Sequence, residues 1–420
     1  MAAFISELQA SRPDLASALG ELADLHARKL WHELTLKLEE VVAAPAFCVL
    51  GDDVLVRLYT RFVSDFEERL NQLKLAHLAV AVSARMGDPA AAVAFLQGVA
   101  AKVAEAPRSE APLLYIRMHI ALLHLQSGDL VAAKAGVEEG RTALDALPDA
   151  DATVQAAVYF VAAQLAKAKQ EFAEFYKAGL LYLAYVHTEA LPDATKLVRP
   201  RALPRTPACT STLRRAALLL ARILTARVRA SQELAVDLSL AALLGENIYN
   251  FGELLGHPVL AALHGSAYEW LAELLGAFNA GDLAAYDALC VKHAAVLNAQ
   301  PALVAAERSL REKITIIALT EIVFSLPAEE RTISLSAIAA KTQLSIDGVE
   351  FLLMKTLSVH LIEGVIDQVA GTVRITWVQP RVLLLPQVAE LRARVDGWIT
   401  KVHAARLALE AEAPELVGTA

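Results

Sequence analysis

His32-Glu33-Leu34-Thr35-Leu36 opens like the zinc helix of a metalloprotease, where two histidines one turn apart grip the ion and a glutamate activates water. Position 36 is leucine, so no two-imidazole face forms. The His-x-His with a downstream aspartate used by deubiquitinating metalloproteases is absent as well. His119 and His124 lie five residues apart, poorly placed for a shared metal, and read as ordinary helix residues. Cys48, Cys209 and Cys290 are isolated and odd in number, and Cys290 reads as a small core side chain on a helix. There is no glycine-rich phosphate loop followed by Lys-Ser/Thr, no GxGxxG after a strand and no Gly-x-Ser-x-Gly elbow. The sequence therefore assigns no catalytic residue, no metal ligand and no cofactor.

The elements that would have to position a site are almost all helical. Leu30, Leu34, Leu38 and Val41 fall on one face of a helix whose other face carries His32, Glu33, Lys37 and Glu40. Gly87-Asp88-Pro89, Gly128-Asp129-Leu130 and Gly281-Asp282-Leu283 repeat one punctuation: a glycine where a helix must turn left-handed, then an aspartate to cap the next. Gly87 and Gly128 lie 41 residues apart, the spacing of two-helix repeats, and a chain of 420 residues is too long for one compact core. A helical hairpin cannot bury its apolar stripe alone, so the expectation is a TPR-like α-solenoid of stacked pairs.

Hydrophobic residues make up 56% of the chain, but alanine contributes much of that. The run Ala152 to Ala166 is bounded by Asp151 and Lys167 and falls short of the roughly 20 apolar residues a bilayer needs, so no membrane span is expected. The start, Met1 to Glu7, lacks a positive region before an apolar run, and with the unpaired cysteines this points to cytosol or nucleus. A formal charge of −8 offers a nucleic-acid backbone no general attraction.

After Leu326-Pro327 the periodicity changes. Leu335 to Lys341 reads as a short helix, Ser345 caps a second helix through His360, and alternation appears in Leu361 to Asp367 and Thr372 to Val378. Ala370-Gly371 supplies the turn. In the last strand Val373, Ile375 and Trp377 are expected to face the core, and Thr372, Arg374 and Thr376 to face outward as a partner contact. Helix, helix and β-hairpin make a winged helix. From Ile333 to Pro380, Lys341, Lys355 and Arg374 stand against Asp347, Glu350, Glu363 and Asp367, too acidic a module to read phosphate, which favours protein contact through the hairpin edge or the outer face of the second helix.

Gln387 to about Glu410 forms one more helix. Val388, Leu391, Val395, Trp398, Val402, Ala405 and Leu409 recur at alternating three- and four-residue steps, a heptad seam that seeks a partner helix or folds back on the solenoid. Gly397 weakens this helix intrinsically. The stretch Leu197 to Ala230 differs from all else: eight arginines, three prolines and no acidic residue. Reading Lys196 straight into Ser231 restores one amphipathic helix, so 197–230 reads as inserted, a lineage-specific loop or translated intron. The expected domains are a solenoid over 1–196, this insertion over 197–230, further helices over 231–330, a winged helix over 331–380 and a terminal helix over 381–420.

Helical repeats leading into a winged helix resemble the PCI-domain family, whose members scaffold the proteasome lid, the signalosome and a translation-initiation complex. Leu30-Trp31-His32-Glu33-Leu34, Tyr249-Asn250-Phe251-Gly252-Glu253, Ala277-Phe278-Asn279-Ala280-Gly281-Asp282 and Thr376-Trp377-Val378-Gln379-Pro380-Arg381-Val382 are similar to strings in a lid subunit of the 26S proteasome regulatory particle. The resemblance implies a scaffold without enzymatic activity, in cytoplasm and nucleus. It implies winged helices set side by side, terminal helices gathered in a bundle, and a place near a deubiquitinase pair and a ubiquitin receptor. A scaffold of the signalosome or initiation complex is the alternative, and a winged-helix nucleic-acid binder a more distant one.

Overall fold

The computed structural model describes residues 16–43, 52–107, 109–186, 231–326, 331–382 and 385–412. The arginine-rich stretch, Cys48 and Cys209 lie outside them. The chain divides into two compact units, Met1–Glu246 with Ala261–Leu263, and Asn247–Leu260 with His264–Ala420.

The first unit consists of paired helices: α1 (Ala16–Ala27), α2 (Trp31–Ala43), α3 (Asp52–Arg61), α4 (Gln72–Ser83), α5 (Pro89–Ala104), α6 (Glu110–Ser127), α7 (Leu130–Asp145), α8 (Ala152–Lys169) and α9 (Phe172–Tyr185), followed by α10 over 231–244. Leu34, Leu38 and Val41 are buried as their spacing requires, whereas Leu30 is exposed because it precedes α2, next to Lys29 in a left-handed conformation (φ 57°). Two of the punctuation marks act as expected. Gly128 (φ 91°) ends α6 and the Asp129 carboxylate accepts from Ala132 N at 3.1 Å. Asp88 caps α5 ahead of Pro89, but Gly87 is not left-handed: α4 ends at Ser83, and the chain takes a further turn through Arg85 and Met86 before reaching it. Between α6 and α7, a methyl at Gly136 would lie 2.9 Å from Ala121 Cβ, so this glycine sets how closely the helices approach, while one at Gly140 would displace only the flexible end of the Met118 side chain.

Polar side chains tie neighbouring pairs together. The buried Glu67 carboxylate accepts from Tyr59 Oη at 3.3 Å and pairs with Lys102 of α5. His119 packs against Tyr115 (4.6 Å between ring centroids, planes tilted by 59°), which packs in turn against His77 at a similar tilt, and burial pushes the His119 imidazole down to about 4. The His119 ring thus serves packing. Lys167 of α8 pairs with Asp237 of α10.

The second unit holds α11 (Gly252–Gly256), α12 (Glu269–Ala280), α13 (Leu283–Lys292), α14 (Ala294–Asn298), α15 (Pro301–Ala305) and α16 (Glu307–Ser325). Gly281 (φ 65°) makes the third punctuation mark, and Asp282 caps α13 by accepting from Ala285 N at 3.0 Å. Cys290 on α13 is half-buried rather than a core side chain. Burial raises its thiol, partly offset by a hydrogen bond with Tyr286.

Then come β1 (Thr332–Ser334), α17 (Leu335–Thr342), α18 (Ile346–Ser358), β2 (Ile362–Asp367), β3 (Thr372–Val378) and α19 (Leu385–Glu412). Ser345 accepts from Gly348 N at 3.2 Å, which starts α18 where its cap chemistry indicates, and His360 in the left-handed region (φ 57°) closes the turn after it. Ile316, Leu319 and Val323 of α16 share one core with Ile338, Leu353 and Val373, so the winged helix grows directly from the last helix before it. The fold is thus mainly helical, with helical repeats leading into a winged helix.

Candidate functional site: partner-binding surfaces

The sheet has three strands in the order β1-β3-β2, all antiparallel. The expected hairpin is present, but the strand β1 went unread because Thr-Ile-Ser is too short to show a period. Its presence makes β3 the middle strand. Thr372 is half-buried opposite Ser334 and Asp367, and Arg374 is exposed opposite Thr332 and Val365. Thr376 is exposed and its Oγ1 donates to the Glu363 carbonyl at 3.1 Å. Arg374 and Thr376 are exposed on the outward face and Thr372 only partly so, while the backbone edges of the sheet belong to β1 and β2.

Trp377 overturns the simple alternation. The register slips between Glu363 and Gly364, leaving Thr376 as the extra residue of a β-bulge, so Trp377 is 41% exposed and Val378 takes the inward place. Gly364 was the legible signal: a Cβ there would lie 2.4 Å from the Arg374 carbonyl oxygen.

The outer face of α18, offered by the sequence as a protein contact without named residues, is apolar. Val349, Leu352, Leu353 and Thr356 are buried, while Ile346, Phe351 and Met354 point to solvent, with Phe351 69% exposed. A helix that reads DNA would present cations there. The one lysine of α18, Lys355, pairs with Glu312 of α16.

The seam helix α19 is continuous through Gly397 over 28 residues. Val388, Leu391, Val395, Trp398, Val402 and Leu409 range from 45% to 68% exposed, and Ala405 is exposed too. Among the described residues of the second unit none covers this seam. Ile399 and Leu407 add exposed apolar surface outside the heptad positions.

The chain just before α19 is firmly held. Arg381, its side chain 12% exposed, pairs with Glu321 of α16 and donates to the carbonyl of Asn279 at the end of α12. Burial lowers its guanidinium, and Glu321 opposes that shift. Next to it Val382 covers Gly252, where a Cβ would lie 2.9 Å from Val382 Cβ. Beneath, Lys313 lies over the rings of Phe251 (5.2 Å) and Tyr249 (5.9 Å), and burial brings its amine down to about 7. Three of the distinctive strings, around Asn250, Asn279 and Arg381, thus meet at the root of the terminal helix.

Among the described residues no group of three or more His, Cys, Asp or Glu side chains is placed to hold a metal ion, and no helix is long and apolar enough to cross a membrane.

Helical repeats, a winged helix rooted in the preceding helix and an unpartnered terminal helix define a PCI-type chain. A family model described as PCI domain matches residues 291–377, and one described as PSD13 N-terminal repeats matches 18–203 and 213–275. A 26S proteasome non-ATPase regulatory subunit 13 homolog from Arabidopsis thaliana (homolog B) is 47% identical over 416 residues, covering 99% of this chain and 98% of its own. The 26S proteasome non-ATPase regulatory subunit 13 of Dictyostelium discoideum is 32% identical over 99% of this chain and 98% of its own. A probable 26S proteasome regulatory subunit rpn9 of Schizosaccharomyces pombe is 33% identical over 90% and 87%. The chain belongs to the 26S proteasome non-ATPase regulatory subunit 13 family.

Proposed function

We propose that this protein is a non-catalytic structural subunit of the 26S proteasome lid, acting in assembly and integrity of the regulatory particle during ubiquitin-dependent protein degradation. The observation that carries the reading is α19: seven seam positions, six of them large apolar side chains, stand in solvent along one helix of a chain related over its full length to proteasome regulatory subunits. Burying each large side chain is worth about 1.5–3 kcal/mol, so an assembled bundle supplies the stabilisation the isolated helix lacks.

In this reading other lid subunits cover the seam formed by Val388, Leu391, Val395, Trp398, Val402 and Leu409. Neighbouring winged helices meet the outward face around Thr372, Arg374 and Thr376, with the β2 edge beside it. The deubiquitinase pair and a ubiquitin receptor lie nearby, nucleic acid is not a partner, and the protein works in cytoplasm and nucleus. The division of labour follows the expected segments: solenoid to 196, insertion over 197–230, helices to 330, winged helix to 380, and bundle helix beyond.

Native purification of the tagged chain followed by mass spectrometry tests this directly. Lid subunits are expected in stoichiometric amounts, and deletion of 382–420 is expected to lose them. Recovery of signalosome or initiation-complex subunits instead would move the protein to another PCI assembly.

A further inference from the structure

The charges along α19 are sorted. With Val388, Val395, Val402 and Leu409 at the a positions of the heptad and Leu391, Trp398 and Ala405 at d, the flanking e and g positions from 392 to 408 hold Arg392, Arg394, Ile399, Lys401, Arg406 and Ala408. Four of these six are basic and none is acidic, in a chain whose Lys+Arg number 39 against 47 Asp+Glu. Of the four acids, Asp396 and Glu410 sit at b, where they pair with Arg392 (3.7 Å) and Arg406 (3.1 Å) along the same helix, Glu390 sits at c, and Glu412 is the last residue of the helix, at the next d position. All four bases are exposed. In helix-to-helix packing the e and g positions set partner choice, because they face the e and g positions of the neighbour.

We infer that the terminal helix is shaped to dock against a helix whose flanking positions are acidic. Its own basic flanks oppose pairing with a second copy, since parallel and antiparallel pairing both set base against base. This rests on the reading of the seam as a helix-docking surface, and it adds what that partner must look like. It also gives the unassembled chain a means to keep an exposed apolar seam from pairing with itself.

The test uses the full chain and two fluorescent four-heptad peptides, identical in leucine and isoleucine at a and d, one with glutamate and one with lysine at e and g. Anisotropy titrations at about 50 mM salt are expected to favour the acidic peptide by roughly tenfold or more. The ratio should shrink towards one near 1 M salt, where charges are screened beyond about 3 Å. The double substitution Arg394→Glu with Lys401→Glu, both on the exposed surface, should reverse the preference. Equal binding of both peptides, unmoved by the double substitution, would overturn the charge inference while leaving the seam a docking surface. Binding of neither peptide would overturn both.

Discussion

Replacing Gly281 with alanine isolates one geometric requirement of the second unit. Two effects add. The residue sits at φ 65°, where any Cβ is strained by about 1 kcal/mol. The new methyl would also lie 2.8 Å from Ala318 Cα, 3.0 Å from Ala318 N and 3.2 Å from Ile317 C. Those are backbone atoms in the middle of α16, which cannot step aside by changing rotamer, so the overpacking adds about 1–3 kcal/mol. Gly128→Ala is the matched control, with φ 91° but nothing within 4 Å of the added methyl. Hydrogen exchange by mass spectrometry on the full chain reads each site locally. Gly281→Ala should lower the opening free energy of α12 and α16 by about 2–4 kcal/mol, against about 1 kcal/mol in α6 and α7 for Gly128→Ala. Equal losses from the two substitutions would refute the close approach of the Gly281 turn to α16.

Arg381→Met removes a mostly buried guanidinium from Glu321 and Asn279. Because Glu321 is 39% exposed and can rehydrate, the loss should be about 2 kcal/mol rather than the full cost of a broken buried pair, seen as faster exchange in α16 and freer motion of a spin label on α19. Acid should weaken the first unit through His119. Its folded pKa of about 4 lies below the ordinary 6.5, so the unfolded chain binds the extra proton and stability falls as pH drops from about 6.5 to 4, by at most ~1.4 kcal/mol per pH unit. His119→Phe should flatten that slope in urea titrations. Phe351→Asp on the open face of α18 should leave the melting temperature of the free chain unchanged while weakening any assembly that uses this face.

Elements whose signals are chemical were legible residue by residue. Ser345, Asp129 and Asp282 start helices because their side chains accept from the next turn, and the register of β3 on β2 begins where Ala370-Gly371 turns the chain. Features set by packing were not. Gly87 has the right neighbours, but the helix before it ends early, and nothing in its composition reveals that. The bulge at Thr376 left one mark in the sequence, a glycine at 364 inside a strand, but the residue it displaces and the reversed facing of Trp377 are set by how closely the strands pack there. The apolar outer face of α18 was hidden in a helix already apolar on its inner face. At the candidate site the seam was legible as a pattern, but that it stands uncovered was not, since a heptad reads the same against its own chain or another.

The most direct test is to place Leu391→Asp and Trp398→Asp together on the seam, both sites at least half exposed in the free chain. The isolated variant should match the parent in circular dichroism and unfolding, yet be missing from particles purified by native affinity from cells expressing it. A variant that enters the lid at the parent's level would contradict the account.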